Sequence, residues 1–424
     1  MSQQHNNSSE KPIEPDNTDN TDNTDNTEPK TLSENKKSEQ HISNEHHHHS
    51  KRHRNYDFSV NTDDDVPQAR YRKEKKKKKK KSKKFVFFVT LGTVVISLLL
   101  IVALTLVFLL LNGQESLVGE NKNTSTQIQA PANVEVDDDY IVYNGEKYKY
   151  NDKVTTILFA GIDKTSDQHI EGVLGTAGQA DALFTMALNT ETGKYRLMAI
   201  SRDTMVDVNI CDSNGNFKGT EKMQICLSHG YGDGKDTSTE NLKRSVSRLF
   251  FGIPVNSYMI IDLDAISILN DAVGGVTVNV VEDLSHKDSA LVKGKTVTLK
   301  GEQAVTYVRY RDIYKDENQN NLRMERQKSY LNSFIHQTID LTKKDISTPI
   351  TLYNQIADYT KTDIDASKIT YLASVFLQSG FSADEDLIKI PGETVLGEKY
   401  AEYYVDTNEF FKIVLDTYYT KVEE

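Results

Sequence analysis

The feature that most constrains this chain is an uncharged run, FVFFVTLGTVVISLLLIVALTLVFLLL, from Phe85 to Leu111. A hydrocarbon core about 30 Å thick is crossed by about 20 helical residues, and a helix satisfies all its backbone groups within one segment. The run predicts one transmembrane helix over residues 85–111. Because a long polar tail precedes it, it reads as a retained anchor rather than a cleaved signal peptide. Directly ahead stands RKEKKKKKKKSKK, Arg72 to Lys84. Cationic flanks are kept on the cytoplasmic side, so this is expected to be a single-pass protein of the cell membrane, N-terminus inside and everything after Asn112 outside. Basic tails also bind nucleic acid without sequence preference, but lysines abutting an apolar helix fit an anionic leaflet, at about 1 kcal/mol each. The expected partner is the lipid bilayer, with no nucleic acid.

The flanking segments differ in composition. Residues 1–84 carry Asn-Thr-Asp repeats between Asn17 and Thr27, a His46–His49 tract and few large apolar side chains. They cannot offset backbone ordering at about 1–2 kcal/mol per residue. A disordered cytoplasmic tail is expected, its histidines a solvated tract rather than a metal site. Residues 112–137, rich in Gln, Asn, Ser and Thr, read as an extracellular stalk. Folding is expected from Asp138, with the main domain over 138–338 and residues 339–424 completing or flanking it. The formal net charge is −11 despite the lysine run, so the exported part is acidic, which argues against a polyanion held by bulk charge. Cys211 and Cys226 both fall on the outer side. A disulfide there would contribute about 3 kcal/mol; two buried free thiols are the alternative.

Three apolar runs open the exported part: VTTILFAG from Val154, LFTMALN from Leu183 and YRLMAIS from Tyr195. Thr190–Lys194 is a turn signal between the last two and predicts an antiparallel hairpin. If the first strand is antiparallel to the second, one sheet edge collects Asp163, Asp181 and the pair Arg202-Asp203. Each could be an ordinary solvated loop charge, yet carboxylates so close repel unless a cation sits among them. Oxygen-only ligands suit Mg2+, with Mn2+ not distinguished, and no His or Cys group stands at zinc spacing. Leu242, Val246, Leu249 and Phe250 make an amphipathic helix over Thr239–Phe251 that stops at Gly252-Ile253-Pro254. SYMIID from Ser257, a helix from Asp264 to Gly274-Gly275, and VTVNVV from Val276 then alternate strand, helix and strand, which gives an α/β class. After Tyr330, helical patterns recur at Tyr330–Leu341 and Glu409–Tyr419.

A second charged group follows in VRYRD, Val308–Asp312, and NLRMERQ, Asn321–Gln327. On a strand, Arg309 and Arg311 would share a face; at a helix start, Arg323 and Arg326 would share a side. They are either surface charge paired with Asp312, Asp316, Glu317 and Glu325, or a clamp for phosphate oxygens, which guanidinium forks match bidentately.

With these residues in view, Ile157–Gln327 resembles the LytR-CpsA-Psr family. ILFAGID stands for its Gly-x-Asp strand, Gln179-Ala180-Asp181-Ala182 for its Arg-Ser-Asp-Thr stretch, and Ile200-Ser201-Arg202-Asp203-Thr204 for its Arg-Asp-Thr stretch. FGIPVNSYMIIDLDAI, LNDAVGGVTVNV, LKGEQAVTYVRYR and LRMERQ follow in the family's order. The resemblance implies an α/β/α sandwich with a mixed central sheet. It also implies an Mg2+-dependent phosphotransferase that moves a glycopolymer, such as a teichoic acid or capsular polysaccharide, from a polyprenyl diphosphate carrier to peptidoglycan. By the same resemblance Asp163 and Asp181 would hold the metal, and Arg202, Arg309, Arg311, Arg323, Arg326, Gln327 and Gln179 would contact the donor. Asp203 would orient Arg202 or activate the acceptor hydroxyl. Two positions depart from the family: Gln179 replaces an arginine, and Val206 stands where a second basic residue is frequent. Lys218 or Lys222 could compensate, and His229 reads as structural. The competing readings are a module that binds lipid-linked glycan without transferring it and a membrane-anchored transcriptional regulator. The latter is opposed by a folded part on the outer side and by the lack of a helix-turn-helix pattern inside. No oligomeric state is implied.

Overall fold

The uncharged run is helical, and the helix does not stop where the run stops. The computed structural model describes residues 83–119, 131, 134–137, 140–163, 177–211, 216–234, 236–311, 319–398 and 400–422. Helix α1 (Lys83–Gly119) continues about two turns past Leu111. Its segment Thr90–Val118 is long and apolar enough to cross a membrane. Leu99, Leu104 and Phe108 are exposed, and a helix apolar on every side calls for an apolar surrounding. Residues 1–82 lie outside the described residues. The tail, the histidine tract and most of the lysine run expected there lie outside them too, as do residues 120–130 of the expected stalk.

The start of that stalk is corrected. Asn112–Gly119 is helix packed on the folded domain: Asn112 donates to Ser367 Oγ at 3.2 Å, Gln114 donates to the Thr190 carbonyl at 2.6 Å, and Leu117 is fully buried. Folding also starts earlier than Asp138, with β1 (Glu135–Asp137), β2 (Tyr140–Tyr143) and β3 (Glu146–Tyr150). The three apolar runs form β4 (Val154–Asp163), β5 (Gln179–Asn189) and β6 (Tyr195–Ile200), antiparallel in succession. A hairpin, β7 (Met205–Cys211) with alternating Val206, Val208 and Ile210 and the polar β8 (Phe217–Gln224), precedes α2 (Leu227–Gly230) and α3 (Asp236–Leu249). At the expected stop, Gly252 adopts φ +89° and its N–H closes on the Ser247 carbonyl at 2.8 Å, a glycine-terminated helix end.

Next come β9 (Ser257–Asp262), α4 (Ala265–Ala272), β10 (Thr277–Asn279), β11 (Thr296–Thr298), α5 (Glu302–Arg309) and α6 (Gln319–Lys344). The chain ends in α7 (Thr348–Gln355), β12 (Thr360–Thr362), α8 (Ala366–Ser379), β13 (Leu387–Lys389), β14 (Gly392–Leu396), β15 (Ala401–Val405), α9 (Thr407–Tyr418) and β16 (Tyr419–Lys421). The central sheet has the order β12-β9-β4-β5-β6-β13. It is mixed, since β9 lies parallel to β4 and β13 parallel to β6. VTVNVV does not join it: β10 pairs with β11 in a separate two-stranded ribbon.

Alternation along β4 separates two cores. Leu158, Ala160 and Ile162 face α3 and α9 through Leu242, Val246, Phe410 and Val414. Ile157 and Phe159 face α6 and α8 through Ile339, Leu372 and Val375, with Leu117 of α1 in the same layer. Helices thus cover both faces, the expected α/β/α sandwich. Burying each large side chain contributes about 1.5–3 kcal/mol, and a sheet apolar on both faces requires a helical layer on each side. Residues past 339 complete this domain: β12 and β13 are its edge strands and α9 covers one face. A boundary at 338 would cut through α6.

Candidate functional site

The site begins with one extra residue. Gly161 pairs with Ala182 and Ile162 with Ala180, so Asp181 is the unpaired residue of a β-bulge. Strict alternation would put Asp181 beside Leu183 on the α3 face; a bulge re-aims a side chain. Asp181 instead accepts a hydrogen bond from Arg202 and lies 3.5 Å from Arg323 Nη1 on α6. Asp163, at the end of β4, accepts from Arg309, whose other terminal nitrogen is 3.5 Å from Asp264. The expected convergence of Asp163, Asp181, Arg202 and Asp203 on one edge is what the strand order produces.

Arg202 and Asp203 are the central residues of a turn in which the Thr204 N–H meets the Ser201 carbonyl at 3.0 Å. Arg202 also donates to Gln179 Oε1 and to Cys226 Sγ at 3.2 Å. Arg323 donates to Asn320 at 2.7 Å, and Asn320 to Ser201 Oγ at 2.9 Å, which ties α6 to the turn. Among the described residues, three buried atoms here have no hydrogen-bond partner: Arg202 Nε, Asp203 Oδ2 and Arg323 Nε. Buried polar atoms are ordinarily satisfied, which sets this cluster apart from the saturated surroundings of α5. Burial raises the Asp203 carboxyl above the usual carboxylate range, against the pull of Arg202, Arg323 and Arg311. Burial lowers Arg323 to about 10. Burial also works against the charge of Arg202, but its neighbours outweigh it and its affinity for the proton is raised. Cys226 is a free thiol, as is Cys211. Burial pushes Cys226 up to about 11, which leaves Asp181 and Asp203 to hold Arg202 at neutral pH.

Three expectations change. Arg309 and Arg311 are not on a strand: Arg309 ends α5, and Tyr310, with ψ 134°, takes the chain out of the helix before Arg311. Burial of Ala304, Val305, Tyr307 and Val308 on one side sets the helix. Arg309 thereby reaches Asp163, whereas the charge of Arg311 is felt at Asp203 and Arg323. Arg326, expected beside Arg323 in the clamp, is turned away. It donates to the Tyr307 carbonyl at 2.7 Å, to Glu282 and to the Tyr310 carbonyl. Gln327 donates to the Val308 carbonyl at 3.3 Å. Both satisfy carbonyls left open at the end of α5, and so fix where Arg309 and Arg311 leave it.

Gln179 lies at the cluster as an acceptor for Arg202, and Val206 is buried in the α3-side core. Lys218 and Lys222 are exposed on β8, Lys222 opposite Asp207. His229 is buried, its Nδ1 3.2 Å from the Gly178 carbonyl. Of the expected counter-ions, Asp312, Asp316 and Glu317 lie outside the described residues. Sequence reasoning missed Asn320, Cys226 and Glu282; only Asn320 carried a signal, as the neighbour of NLRMERQ.

As a metal site, Asp163 and Asp181 offer carboxylate oxygens from adjacent strands, and among the described residues no group of three or more metal-ligating side chains gathers. That donor set fits an Mg2+ shared with substrate phosphates, which needs one or two protein carboxylates, and not a cage that holds the ion alone.

On the sheet face that carries α6 and α8 lies a cavity of about 410 Å3 lined by Phe159, Phe184, Leu197, Phe334, Leu372 and Phe376 among others. Strands β4, β5 and β6 line it and also carry Asp163, Asp181 and the Arg202 turn. Its size is that of small-ligand pockets, and its lining is largely apolar, with Tyr330, Thr338, Thr342 and Tyr353 the hydroxyl-bearing residues.

A model of the LytR_cpsA_psr family matches residues 108–415. The polyisoprenyl-teichoic acid–peptidoglycan teichoic acid transferase TagU of Enterococcus faecalis is 26% identical over 263 residues, which cover 62% of this chain and 78% of that protein. The transferase of the same description, TagV of Bacillus subtilis, is 27% identical over 262 residues, 59% of this chain and 60% of that protein. The crystal structure of B. subtilis TagV superposes with a TM-score of 0.50 at 23% identity, covering 62% of this chain and 97% of that one; the fold is shared.

Proposed function

Because the chain belongs to the LytR_cpsA_psr family, we propose that it transfers a glycopolymer, joined through phosphate to a polyprenyl carrier, onto peptidoglycan. The observation that carries this reading is that the strands lining a largely apolar cavity also carry a cluster of guanidiniums with unsatisfied atoms. A polyprenyl diphosphate has that same polarity: a long apolar chain ending in adjacent anionic groups. The names of the relatives, which act on polyisoprenyl-linked teichoic acid and peptidoglycan, support the same pair of substrates here.

In this reading the cavity takes the polyprenyl chain, and Arg202, Arg309, Arg311 and Arg323 hold the diphosphate oxygens. Arg326 and Gln327 act as positioning residues through α5, and Gln179 orients Arg202. Mg2+ held by Asp163 and Asp181 would neutralise phosphate charge. Phosphoryl transfer needs positioning and charge stabilisation more than covalent work by the protein. Asp203 accepts the proton of the attacking hydroxyl. The bond from that oxygen to the phosphorus next to the glycan forms, the bond from phosphorus to the bridging oxygen breaks, and polyprenyl phosphate leaves. A carboxyl raised by burial suits a general base. Helix α1 anchors the domain on the outer side of the membrane.

The test uses the full chain in detergent micelles with Mg2+, a synthetic polyprenyl-diphosphate glycan and peptidoglycan oligomers. Transfer by the wild type and its loss in both Arg309→Ala and Asp181→Ala are expected. Donor binding without transfer by the wild type would leave a glycan-binding module, a reading favoured only by Gln179 standing in place of an arginine.

A further inference from the structure

The anchor does not merely tether the domain. Beyond Leu111, the last residue of the apolar run, α1 is clamped into a three-way junction. Asn112 bonds Ser367 at the start of α8, and the Thr190 carbonyl, in the β5–β6 turn, accepts both from Gln114 of α1 and from Tyr371 of α8, at 2.6 and 2.9 Å. At Gly113 the two helices touch so closely that a Cβ would overlap the Ser367 carbonyl and meet the Tyr371 Cβ. Leu117, about 9 Å past Leu111 at 1.5 Å per residue, is fully buried in the core layer that holds Met186, Leu197 and Leu372. Those three residues also line the apolar cavity.

Helix α8 is therefore shared. Ser367 and Tyr371 grip the anchor, while Ile369, Leu372, Ala373 and Phe376, interleaved with them on the same turns, line the cavity. The cavity wall stands one helix away from the point where the chain leaves the apolar run.

We propose that this junction is a loading interface: clamping α8 to the end of the anchor holds the cavity wall against the outer leaflet, so that a polyprenyl chain moves from bilayer to cavity without crossing water. The inference rests on the reading of the cavity as a polyprenyl site. Exposing methylenes to water is unfavourable in proportion to their area, so a route that keeps the chain covered is the faster one, and it exists only while the wall abuts the lipid.

The test uses the full chain and a benzophenone-tailed polyprenyl monophosphate, photocrosslinked once in liposomes and once in detergent micelles. A Gly-Ser-Gly-Ser insertion between Leu111 and Asn112 keeps every junction contact but ends the continuity of the helix; Gly113→Leu breaks the junction itself. Both variants are expected to be labelled like the wild type in micelles, and about tenfold less or lower in liposomes, because the fixed geometry sets the effective concentration of the chain. Wild-type labelling of the insertion variant in liposomes, or an equal loss in micelles, would overturn the loading interface alone. No labelling of the wild type even in micelles would remove the polyprenyl reading of the cavity, and the inference with it.

Discussion

Two buried arginine centres lie three residues apart on α6 and behave oppositely. Arg323 and Arg326 are 3% and 1% exposed, and burial lowers the proton affinity of both. Around Arg326 all three guanidinium nitrogens are engaged, by Glu282 and by the Tyr307 and Tyr310 carbonyls. Around Arg323 the set is open: its Nε, the Arg202 Nε and the Asp203 Oδ2 are buried without partners among the described residues. Residue type, helix and burial are the same, so the difference is saturation. A closed centre holds the fold; in the proposed function the open one takes the oxygens and protons of the donor.

That contrast can be broken by substitution. The largest effect is expected at Arg326→Ala, which removes a buried guanidinium and leaves the partly buried Glu282 without it, and should cost about 3 kcal/mol of stability; calorimetry of the full chain in micelles reads it as a lower unfolding temperature. An unchanged unfolding temperature together with lost transfer would put Arg326 in the ligand site instead. Arg323→Ala should lower the transfer rate by about 10- to 100-fold, the loss of one charged hydrogen bond, with a smaller fall in unfolding temperature than Arg326→Ala. The smallest effect sharpens the comparison through pH. Because burial raises the Asp203 carboxyl, the wild-type rate should climb with pH through a value above the ordinary carboxylate range, about 3.9, and Asp203→Asn should flatten that limb. Stability runs the other way: a carboxyl raised in the folded state gives stability that is full below its unfolded pKa and lost as pH rises through the folded one. Asp203→Asn should remove that loss.

Much of this was legible in the residues. The apolar runs and the Thr190–Lys194 turn set an antiparallel order, and that order alone brings Asp163, Asp181 and Arg202 to one edge. The bulge at Asp181 was not legible, because one extra residue leaves no compositional mark. VRYR alternates well enough for a strand, and only the burial of Ala304, Tyr307 and Val308 around it decides for a helix. Once α5 is a helix, its open carbonyls recruit Arg326 and Gln327, so two residues of the motif pass from ligand to scaffold. The polar Asn112–Gly119 segment has no periodicity of its own; contacts with Ser367, 255 residues away, make it part of the domain. The edge strands β12 and β13 have only three residues each and are defined by the partners they add to.

The most direct measurement follows the phosphorus. With a donor isotopically labelled at the phosphorus next to the glycan, incubated with the full chain, Mg2+ and peptidoglycan oligomers, the label is expected on peptidoglycan together with the glycan, and unlabelled polyprenyl phosphate is expected as the other product. Label that stays with the lipid while the glycan moves, or that is released as inorganic phosphate, would contradict a transfer centred on the open arginines.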